Sequence, residues 1–378
     1  MQQRRFCLHL CLVSLIILSS SYSFGQMKND ALLKIKLDST FADLFAGNEP
    51  GGSIFIRQGD KILYSESFGL SDIKTQKKFT SATICNLGSI SKTFVAYGIL
   101  ILQKQGKLSV DDPIIKFFPD FQNKAIASKV TIRHLLTHTS GLPDSRETIK
   151  DSEFYLTAKD EENFAPIKLT QKLEFEPGSQ WKYSNPAYNG LALIIEKVSN
   201  MKWQDFISRN IFKPAGMSQS TITDGPHPST GVAHGYRKLN GAWEEYDYGE
   251  YPTFAAAGNG GVWSSIDELV KYADAINNCS FTDCATIAAG QTPWRPANWS
   301  LETEPWHGLA WFKHPSYLYT VNQNEKYTVI EHAGDQGGFR AHLLMIPEPG
   351  ITIVWITNNE MEITGSIWKT LKESGYVR

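Results

Sequence analysis

Segments with the composition of β-strands lie near both ends of the chain, and apolar positions at helical spacing lie between them. Strands are predicted at residues 51–56, 61–64, 327–330, 341–346 and 351–356, the first two forming a hairpin around Gly59. Helices are predicted at residues 29–47, repeatedly within about 110–250, and near the end around Ile363, Ile367 and Leu371. This order favours an α/β (α+β) fold, with one antiparallel sheet flanked by helices and a mostly helical second domain.

The first 25 residues form a segment of a different kind. Arg4 and Arg5 precede an apolar run from Phe6 to Leu18, and Ser and Tyr residues then lead to Ser23-Phe24-Gly25, whose small residues are placed for cleavage after Gly25. This pattern is typical of a signal peptide, so we expect an exported protein, periplasmic or secreted. Residues 26–378 should form the functional domain, with an α/β part at about 26–109 and 255–378 and a helical part at about 110–254.

Composition and charge exclude several classes of function. The chain has 378 residues, of which 42% are hydrophobic and 20% charged, as in ordinary globular proteins. A formal net charge of −2 and the lack of a basic run give no reason to expect nucleic acid as a partner. No later segment is long and apolar enough to predict a transmembrane span. The oligomeric state does not follow from the sequence.

One stretch joins a nucleophilic and a basic residue type at the start of a buried helix. Ser89 precedes Lys92 by three positions, and an almost unbroken apolar run continues to Leu102. Side chains three apart lie on one helix face, so the amine of Lys92 should lie over Ser89. Burial lowers the pKa of such an amine and makes it usable as a base. The same spacing recurs at Ser71, Ser179, Ser199 and Ser366, so the spacing alone is not specific.

A second stretch, Tyr183-Ser184-Asn185, follows a Pro-Gly turn. A phenol beside an ammonium group can lose its proton near neutral pH and act as a general base. Asn185 offers both a donor and an acceptor for a substrate amide. A buried tyrosine beside a turn-forming asparagine is the alternative that these residues alone leave open.

The third stretch is His332-Ala333-Gly334-Asp335, expected directly after a strand. Its glycine lets a substrate approach the backbone closely. His332 could stabilise a substrate carboxylate or tune the phenol, and the Asp335 N–H could join that of Ser89 as an oxyanion hole. A structural histidine at the end of a strand is the alternative.

Two residue pairs and one cysteine are assigned structural roles. Cys279 and Cys284 are five positions apart, and in an oxidising compartment we expect a disulfide between them. Cys85 is expected to be a small buried side chain. His134 and His138 have a spacing that can bind zinc, but no third ligand is evident, so we expect capping or core roles and no metal.

Together the three stretches resemble the serine β-lactamase-related family, which includes class C β-lactamases, D-Ala-D-Ala carboxypeptidases and their esterase relatives. The matching motifs are Ser89-Ile90-Ser91-Lys92, Tyr183-Ser184-Asn185 and His332-Ala333-Gly334, in the family's order. Residues 106–113, 131–142 and 256–261 support the match. The resemblance covers roughly residues 40–360, nearly all of the chain after the predicted signal peptide.

The resemblance implies a helical domain on an α/β domain, with the site in the cleft between them. It implies acylation of Ser89, proton transfers shared by Lys92 and Tyr183, and release of the acyl group by water. Asn185, His332, Gly334 and Asp335 would bind the substrate and the oxyanion, and no metal or cofactor is implied. The leading substrate class is a D-amino-acid peptide, cell-wall fragment or β-lactam-like molecule. The alternatives are a small-ester esterase and a penicillin-binding sensor without turnover.

Two positions depart from the family's pattern. Class C enzymes and many transpeptidases carry Lys-Thr-Gly where this chain has His332-Ala333-Gly334, a form common in the peptidase and esterase branches. Loss of a permanent cation weakens the expectation of efficient β-lactam hydrolysis. Asp335 puts a negative charge beside the expected oxyanion hole. Residues 279–305, which include Trp294 and Trp299, match nothing in the pattern.

Overall fold

The structure is a computed structural model that describes residues 29–45, 47–144, 152–223, 231–246, 254–316 and 327–377. The predicted signal peptide, residues 1–25, lies outside the described residues. The chain divides into two units, Met1–Leu44 with Ile363–Arg378, and Phe45–Glu362.

The first unit brings two helices from opposite ends of the chain together. Helix α1 spans residues 29–44 and α11 spans Thr364–Glu373, close to the predicted positions. Lys36 pairs with Glu373 at 2.5 Å, and the hydroxyl of Tyr376 donates to the carboxylate of Asp30. Leu33, Leu37, Phe41, Ile367 and Leu371 are fully buried, which accounts for the helical spacing of apolar positions in both segments.

The second unit contains an antiparallel sheet in the order β10-β11-β12-β13-β1-β2. Its strands are β1 (Gly52–Gln58), β2 (Lys61–Phe68), β10 (Phe312–Pro315), β11 (Thr328–Gln336), β12 (Phe339–Ile346) and β13 (Ile351–Thr357). The prediction of one antiparallel sheet flanked by helices is confirmed. The third motif lies inside β11 rather than after a strand, and β10 was not predicted.

Burial explains the sheet order. Every residue of β13 is buried, so this apolar strand lies in the middle of the sheet, between β12 and β1. The hairpin from β1 to β2 turns at Gly59, whose φ of +55° is a conformation that glycine adopts readily.

Helix α2, Ser91–Lys104, is the central helix of this unit and is buried continuously from Ser91 to Leu102. It ends before Gly106, whose φ is +69°, and the Lys107 N–H returns to the carbonyl of Leu102. It packs against α7 (Asn185–Ser199) and α10 (Cys284–Gln291).

The other helices lie in the second unit. They are α3 (Lys124–Lys129), α4 (Ile132–Leu136), α5 (Ser152–Thr157), α6 (Asp160–Lys168), α8 (Trp203–Ile207) and α9 (Ile266–Asn277), with shorter turns at Gly88–Ile90, Ile114–Lys116 and Ser208–Phe212. α9 packs against β1 and β13 of the sheet.

Small strands also lie outside the main sheet, some of them in the part predicted as mostly helical. They are β3 (Leu70–Asp72), β4 (Lys77–Lys78), β5 (Cys85–Asn86), β6 (Thr221–Ile222), β7 (Tyr236–Leu239), β8 (Ala242–Glu245) and β9 (Val262–Ser264). At two to four residues they are too short to show a period in the sequence.

The cysteines lie as follows. Cys279 and Cys284 form a disulfide, and Cys85 is a buried free thiol.

Within the described ranges, no helix has the length and apolar character needed to cross a bilayer.

Candidate active site

The side chain of Lys92 is the centre of the site. It is fully buried, and its Nζ donates to the Ser89 hydroxyl at 2.9 Å, to Asn185 Oδ1 at 2.9 Å and to the carbonyl of Asn259 at 2.7 Å. Three acceptors match the three hydrogens of an ammonium group. The structure therefore brings three predicted site residues, Ser89, Lys92 and Asn185, into direct contact.

A tight turn presents Ser89. The serine lies in the turn Gly88–Ile90, directly before α2, close to the helix start that the sequence predicted for it. Gly88 has a φ of +49°, and its N–H donates to Asn86 Oδ1 at 2.8 Å. The side chain of Asn86 therefore fixes the backbone conformation that turns Ser89 towards Lys92.

Strand β11 touches this turn backbone to backbone. A Cβ on Gly334 would lie 1.9 Å from the carbonyl oxygen of Leu87, and one on Gly88 would lie 2.6 Å from the Asp335 nitrogen. Only glycine fits at either position, because real Cβ atoms do not approach so closely. The contact brings the backbone N–H of Asp335 next to the turn that carries Ser89.

The Tyr183-Ser184-Asn185 motif is built around a helix cap. Ser184 is the N-cap of α7 and accepts from the Ala187 N–H at 3.3 Å. Tyr183 therefore lies just outside the helix, and Asn185 is its first residue. The Lys92 Nζ lies 5.0 Å from the centre of the Tyr183 ring, which brings the fourth predicted residue to the same point.

The imidazole ring of His138 packs against the ring of Tyr183. The two rings stack with centroids 4.4 Å apart, and the Ser184 N–H donates to His138 Nδ1 at 3.0 Å. Because Nδ1 accepts, the ring hydrogen is on Nε2. Burial holds the pKa of His138 well below its usual range, and His307 and Lys92 lower it further. A capping or core role was predicted for His138, without a connection to Tyr183.

Two further buried histidines lie near Lys92. His307 Nδ1 bonds the Gly308 carbonyl at 2.6 Å, and His332 Nδ1 bonds the Ala333 carbonyl at 2.7 Å, so both carry the hydrogen on Nδ1. Burial is the main cause that lowers the pKa of His307 to about 4 and that of His332 to about 3. His332 is therefore neutral at neutral pH, and its Nε2 presents an acceptor lone pair, which cannot bind a substrate carboxylate as a cation would.

The cleft in front of Ser89 has a volume of about 450 Å³. Its walls include Tyr183, Phe312, His332, Asp335 and Arg340. Asp335 pairs with the guanidinium of Arg340 at 3.0 Å, its partner across β11 and β12. The negative charge expected beside the oxyanion hole is thus compensated by a cation that the sequence did not identify.

A buried network holds the Asn259 carbonyl in place. Asp160 Oδ1 accepts from the Gly258 N–H at 2.8 Å and from Asn189 Nδ2 at 2.7 Å, and Asn189 also reaches the Asn259 side chain at 3.2 Å. Burial raises the pKa of Asp160 to about 8. The sequence placed residues 256–261 in a supporting motif but did not identify a contact between Asn259 and Lys92.

His134 and His138 have separate local roles. His134 takes part in the capping box of α4 with Thr131, whereas His138 faces Tyr183. Within the part of the chain that the structure describes, no group of three or more His, Cys, Asp and Glu side chains could hold a metal ion.

The Beta-lactamase family model matches residues 37–364. Penicillin-binding protein 4* of Bacillus subtilis is 29% identical over 337 residues, which are 86% of this chain and 71% of that protein.

Two solved structures extend the comparison. The octameric penicillin-binding protein homologue from Pyrococcus abyssi superposes with a TM-score of 0.76 at 26% identity, covering 90% of this chain and 77% of that one. A D-amino acid amidase from Ochrobactrum anthropi superposes with a TM-score of 0.72 at 20% identity, covering 92% and 97%, and shows the fold alone. With a family model matching most of its length and its motifs assembled around Lys92, the chain belongs to the Beta-lactamase family of serine hydrolases.

Proposed function

We propose that this protein is an exported serine hydrolase, periplasmic or secreted, that forms an acyl-enzyme on Ser89. Its leading substrate class is a D-amino-acid peptide or a related cell-wall fragment. The observation that carries the proposal is the set of three bonds from the buried Lys92 amine to Ser89, Asn185 and the Asn259 carbonyl. The buried amine of Lys92 can itself transfer protons, and it contacts both the proposed nucleophile, Ser89, and the proposed substrate-binding amide, Asn185.

The reaction follows from this arrangement in two steps. In the first, the Ser89 oxygen attacks the substrate carbonyl while its proton passes to the Tyr183–Lys92 pair. The N–H groups of Ser89 and Asp335 bind the oxyanion, and Asn185 binds the amide next to the scissile bond. The proton then goes to the leaving group. In the second step, water attacks the acyl group and Ser89 is regenerated.

Three observations favour a peptide or amide substrate over a β-lactam drug. Penicillin-binding protein 4* of Bacillus subtilis aligns with 86% of this chain, and the fold is shared with a D-amino acid amidase. The third motif supplies the neutral His332 where class C enzymes carry a lysine. The nearby cation, Arg340, is paired with Asp335. We therefore expect acylation by penicillins with slow or no turnover.

Two alternatives remain to be separated from this proposal. A small-ester esterase would use the same residues on a substrate without an amide. A penicillin-binding sensor would be acylated and would not release the acyl group.

One labelling experiment separates the three. The mature protein is incubated separately with a fluorescent penicillin, a fluorophosphonate, a nitrophenyl ester and an N-acyl-D-alanyl-D-alanine peptide, and intact mass and product release are followed over time. We expect a covalent adduct that is absent in Ser89→Ala, with turnover of an N-acyl-D-alanyl-D-alanine peptide. The control Ser366→Ala, a serine with the same Ser-x-x-Lys spacing in α11, should label fully. Labelling that survives in Ser89→Ala would contradict the proposal. Turnover of the ester alone would favour the esterase, and a persistent adduct without turnover the sensor.

A further inference from the structure

A second cavity lies beside the cleft, and we call it the tryptophan pocket. It has a volume of about 240 Å³, and its walls include Trp181, Trp299, Leu301, Trp306, His307 and Phe312. Neither the catalytic proposal nor the three motifs use it. Most of its wall comes from the part of residues 279–305 that matched nothing in the sequence pattern, together with Trp306 and His307.

The pocket adjoins the reacting centre on the side of Tyr183. Phe312 lines both the cleft and the pocket, and its ring centroid lies 5.6 Å from that of His332 and 6.2 Å from that of Trp181. The rings of Trp181 and Tyr183 have centroids 6.3 Å apart. The pocket therefore lies about one aromatic ring away from Tyr183 and shares a wall with the cleft.

Hydrogen bonds attach the wall of the pocket to the segment that precedes Tyr183. Ser300 donates through both its N–H and its hydroxyl to the Ser179 carbonyl at 2.8 Å, and Asn298 Nδ2 donates to the Pro177 carbonyl at 3.0 Å. The Trp299 indole N–H donates to the Thr303 carbonyl at 2.9 Å, which fixes the ring. These hydrogen bonds hold the wall of the pocket against the segment that leads to Tyr183.

The chemistry of the walls selects a neutral, apolar occupant. Trp181 is 36% exposed and Leu301 37% exposed, which leaves apolar surface open to a ligand. Glu304 lies at the rim and pairs with Arg295 at 2.5 Å, and His307 is neutral because burial lowers its pKa to about 4. No free cation among the residues that line it is available to a carboxylate. Flat aromatic walls favour stacking with another ring.

We propose that the tryptophan pocket binds an apolar or aromatic leaving group of the substrate, an inference that rests on the proposed function. In acylation, a bond forms between the Ser89 oxygen and the carbonyl carbon, and the bond from that carbon to the leaving group breaks. The serine proton passes through Tyr183 to the leaving atom, so that atom must lie beside the phenol. The pocket lies on that side, whereas the acyl group stays on Ser89.

The test uses the 2-phenylethyl and ethyl esters of one N-acyl-D-amino acid. Both form the same acyl-enzyme, so deacylation is identical and any preference arises in acylation. We expect kcat/KM to favour the 2-phenylethyl ester by roughly ten- to a hundredfold, as for burial of an aromatic side chain. Trp299→Ala and Leu301→Glu should reduce this ratio towards one. The matched control Leu239→Glu, at a similarly exposed leucine on the β7–β8 hairpin, should leave both rates unchanged.

Each other outcome has a defined meaning. Equal rates for the two esters, or a ratio that Trp299→Ala does not change, would overturn the leaving-group pocket while the proposed function stands. A preference that follows a phenyl group on the acyl side, and that Trp299→Ala removes, would also overturn it. If neither ester is hydrolysed, the proposed function fails, and binding of 2-phenylethanol to Ser89→Ala, followed by tryptophan fluorescence, decides the pocket. We expect saturable binding that Trp299→Ala removes, and its absence would overturn the inference.

Discussion

The imidazole of His138 stacks on the phenol of Tyr183, with ring centroids 4.4 Å apart and the planes 29° apart. The same imidazole accepts the N–H of Ser184, the residue that caps α7. One buried side chain thus sets both the orientation of the proposed general base and the start of the helix that carries Asn185. His138 contacts no reacting atom, so we assign it a positioning role.

The first prediction concerns this stacking. His138 has a φ of +57°, which asparagine tolerates well, and an asparagine carbonyl can still accept the Ser184 N–H. His138→Asn therefore removes the ring while it keeps the backbone. We expect kcat to fall about tenfold or more with little change in KM, because a misplaced catalytic group slows the chemical step. Steady-state kinetics with one activated ester, with thermal unfolding as a check on the fold, measure this. If His138→Asn raises KM and lowers thermal stability but leaves kcat unchanged, His138 is merely structural.

The second prediction concerns the contact between β11 and the Ser89 turn. A Cβ at position 334 would lie 1.9 Å from the carbonyl oxygen of Leu87. The two segments meet there through their backbones, so one of the two backbones must shift. Gly334→Ala should cost at least about a hundredfold in acylation rate, because it displaces the Asp335 N–H, the proposed oxyanion donor, from Ser89.

Gly365→Ala is the matched control for this substitution. Apart from its chain neighbours and the nearby backbone of its own helix, nothing lies within 4 Å of a Cβ at Gly365, so alanine should be neutral or slightly stabilising there. Acylation rates from stopped-flow labelling with a fluorescent penicillin compare the two variants. A Gly334→Ala protein that is acylated at the wild-type rate would show that the close contact does not position the site.

The third prediction is a dependence of stability on pH. The pKa of Asp160 is raised to about 8, against about 4 for an aspartate in an unfolded chain. Between these values the unfolded state releases a proton that the folded state keeps, so the free energy of unfolding decreases as pH rises. Asp160→Asn removes this titration and keeps an oxygen that can accept from Gly258 and Asn189.

Urea unfolding at pH 5 and at pH 8.5 measures the effect. The stability of Asp160→Asn relative to the wild type should increase between the two values. Asp283→Asn is the control, because its exposed carboxylate, paired with Lys104 and capping α10, has a pKa lowered below the usual range. Its contribution is fully present across this window, so the difference between that variant and the wild type should stay constant. A constant difference for Asp160→Asn as well would refute the raised pKa.

The pattern of residues along the chain was enough to predict the fold class and five of the six strands of the main sheet. Strand β13 is mostly apolar, with threonine at two of its seven positions, and the hairpin carries Gly59 at its turn, so local composition specifies these elements. Short strands such as β6, with two residues, carry no period and were not predicted. The position of the third motif inside β11 was missed because glycine normally weakens a strand, and here it serves close packing against Leu87.

The site was predicted as a set of residues but not as a geometry. The three motifs in their order along the chain identified Ser89, Lys92, Tyr183 and Asn185, which lie at or next to the starts of α2 and α7. Contacts made over long sequence distances have no local signature. The Asn259 carbonyl is 167 residues from Lys92. The pairing of Asp335 with Arg340 depends on the register between two strands.

The last prediction is that Lys92 and Tyr183 act as one unit in the transfer of the serine proton. Lys92 Nζ bonds Ser89 directly and lies 5.0 Å from the centre of the Tyr183 ring, so either group alone is a poor substitute for the pair. General-base assistance is typically worth about two to four powers of ten in rate. Tyr183→Phe and Lys92→Ala should each cost at least about a hundredfold in acylation.

The double variant decides whether the two act together. When either Lys92 or Tyr183 is removed, the remaining residue can no longer exchange a proton with it. The double variant should therefore be little slower than the slower single variant. The acylation rates of all four proteins with one activated ester, across pH, give the coupling directly, and near-UV circular dichroism checks that each is folded. Strictly additive losses would mean that the two residues act independently. A Tyr183→Phe protein with the wild-type rate and pH profile would mean that the phenol only fills space, and Lys92 would then be the base by itself.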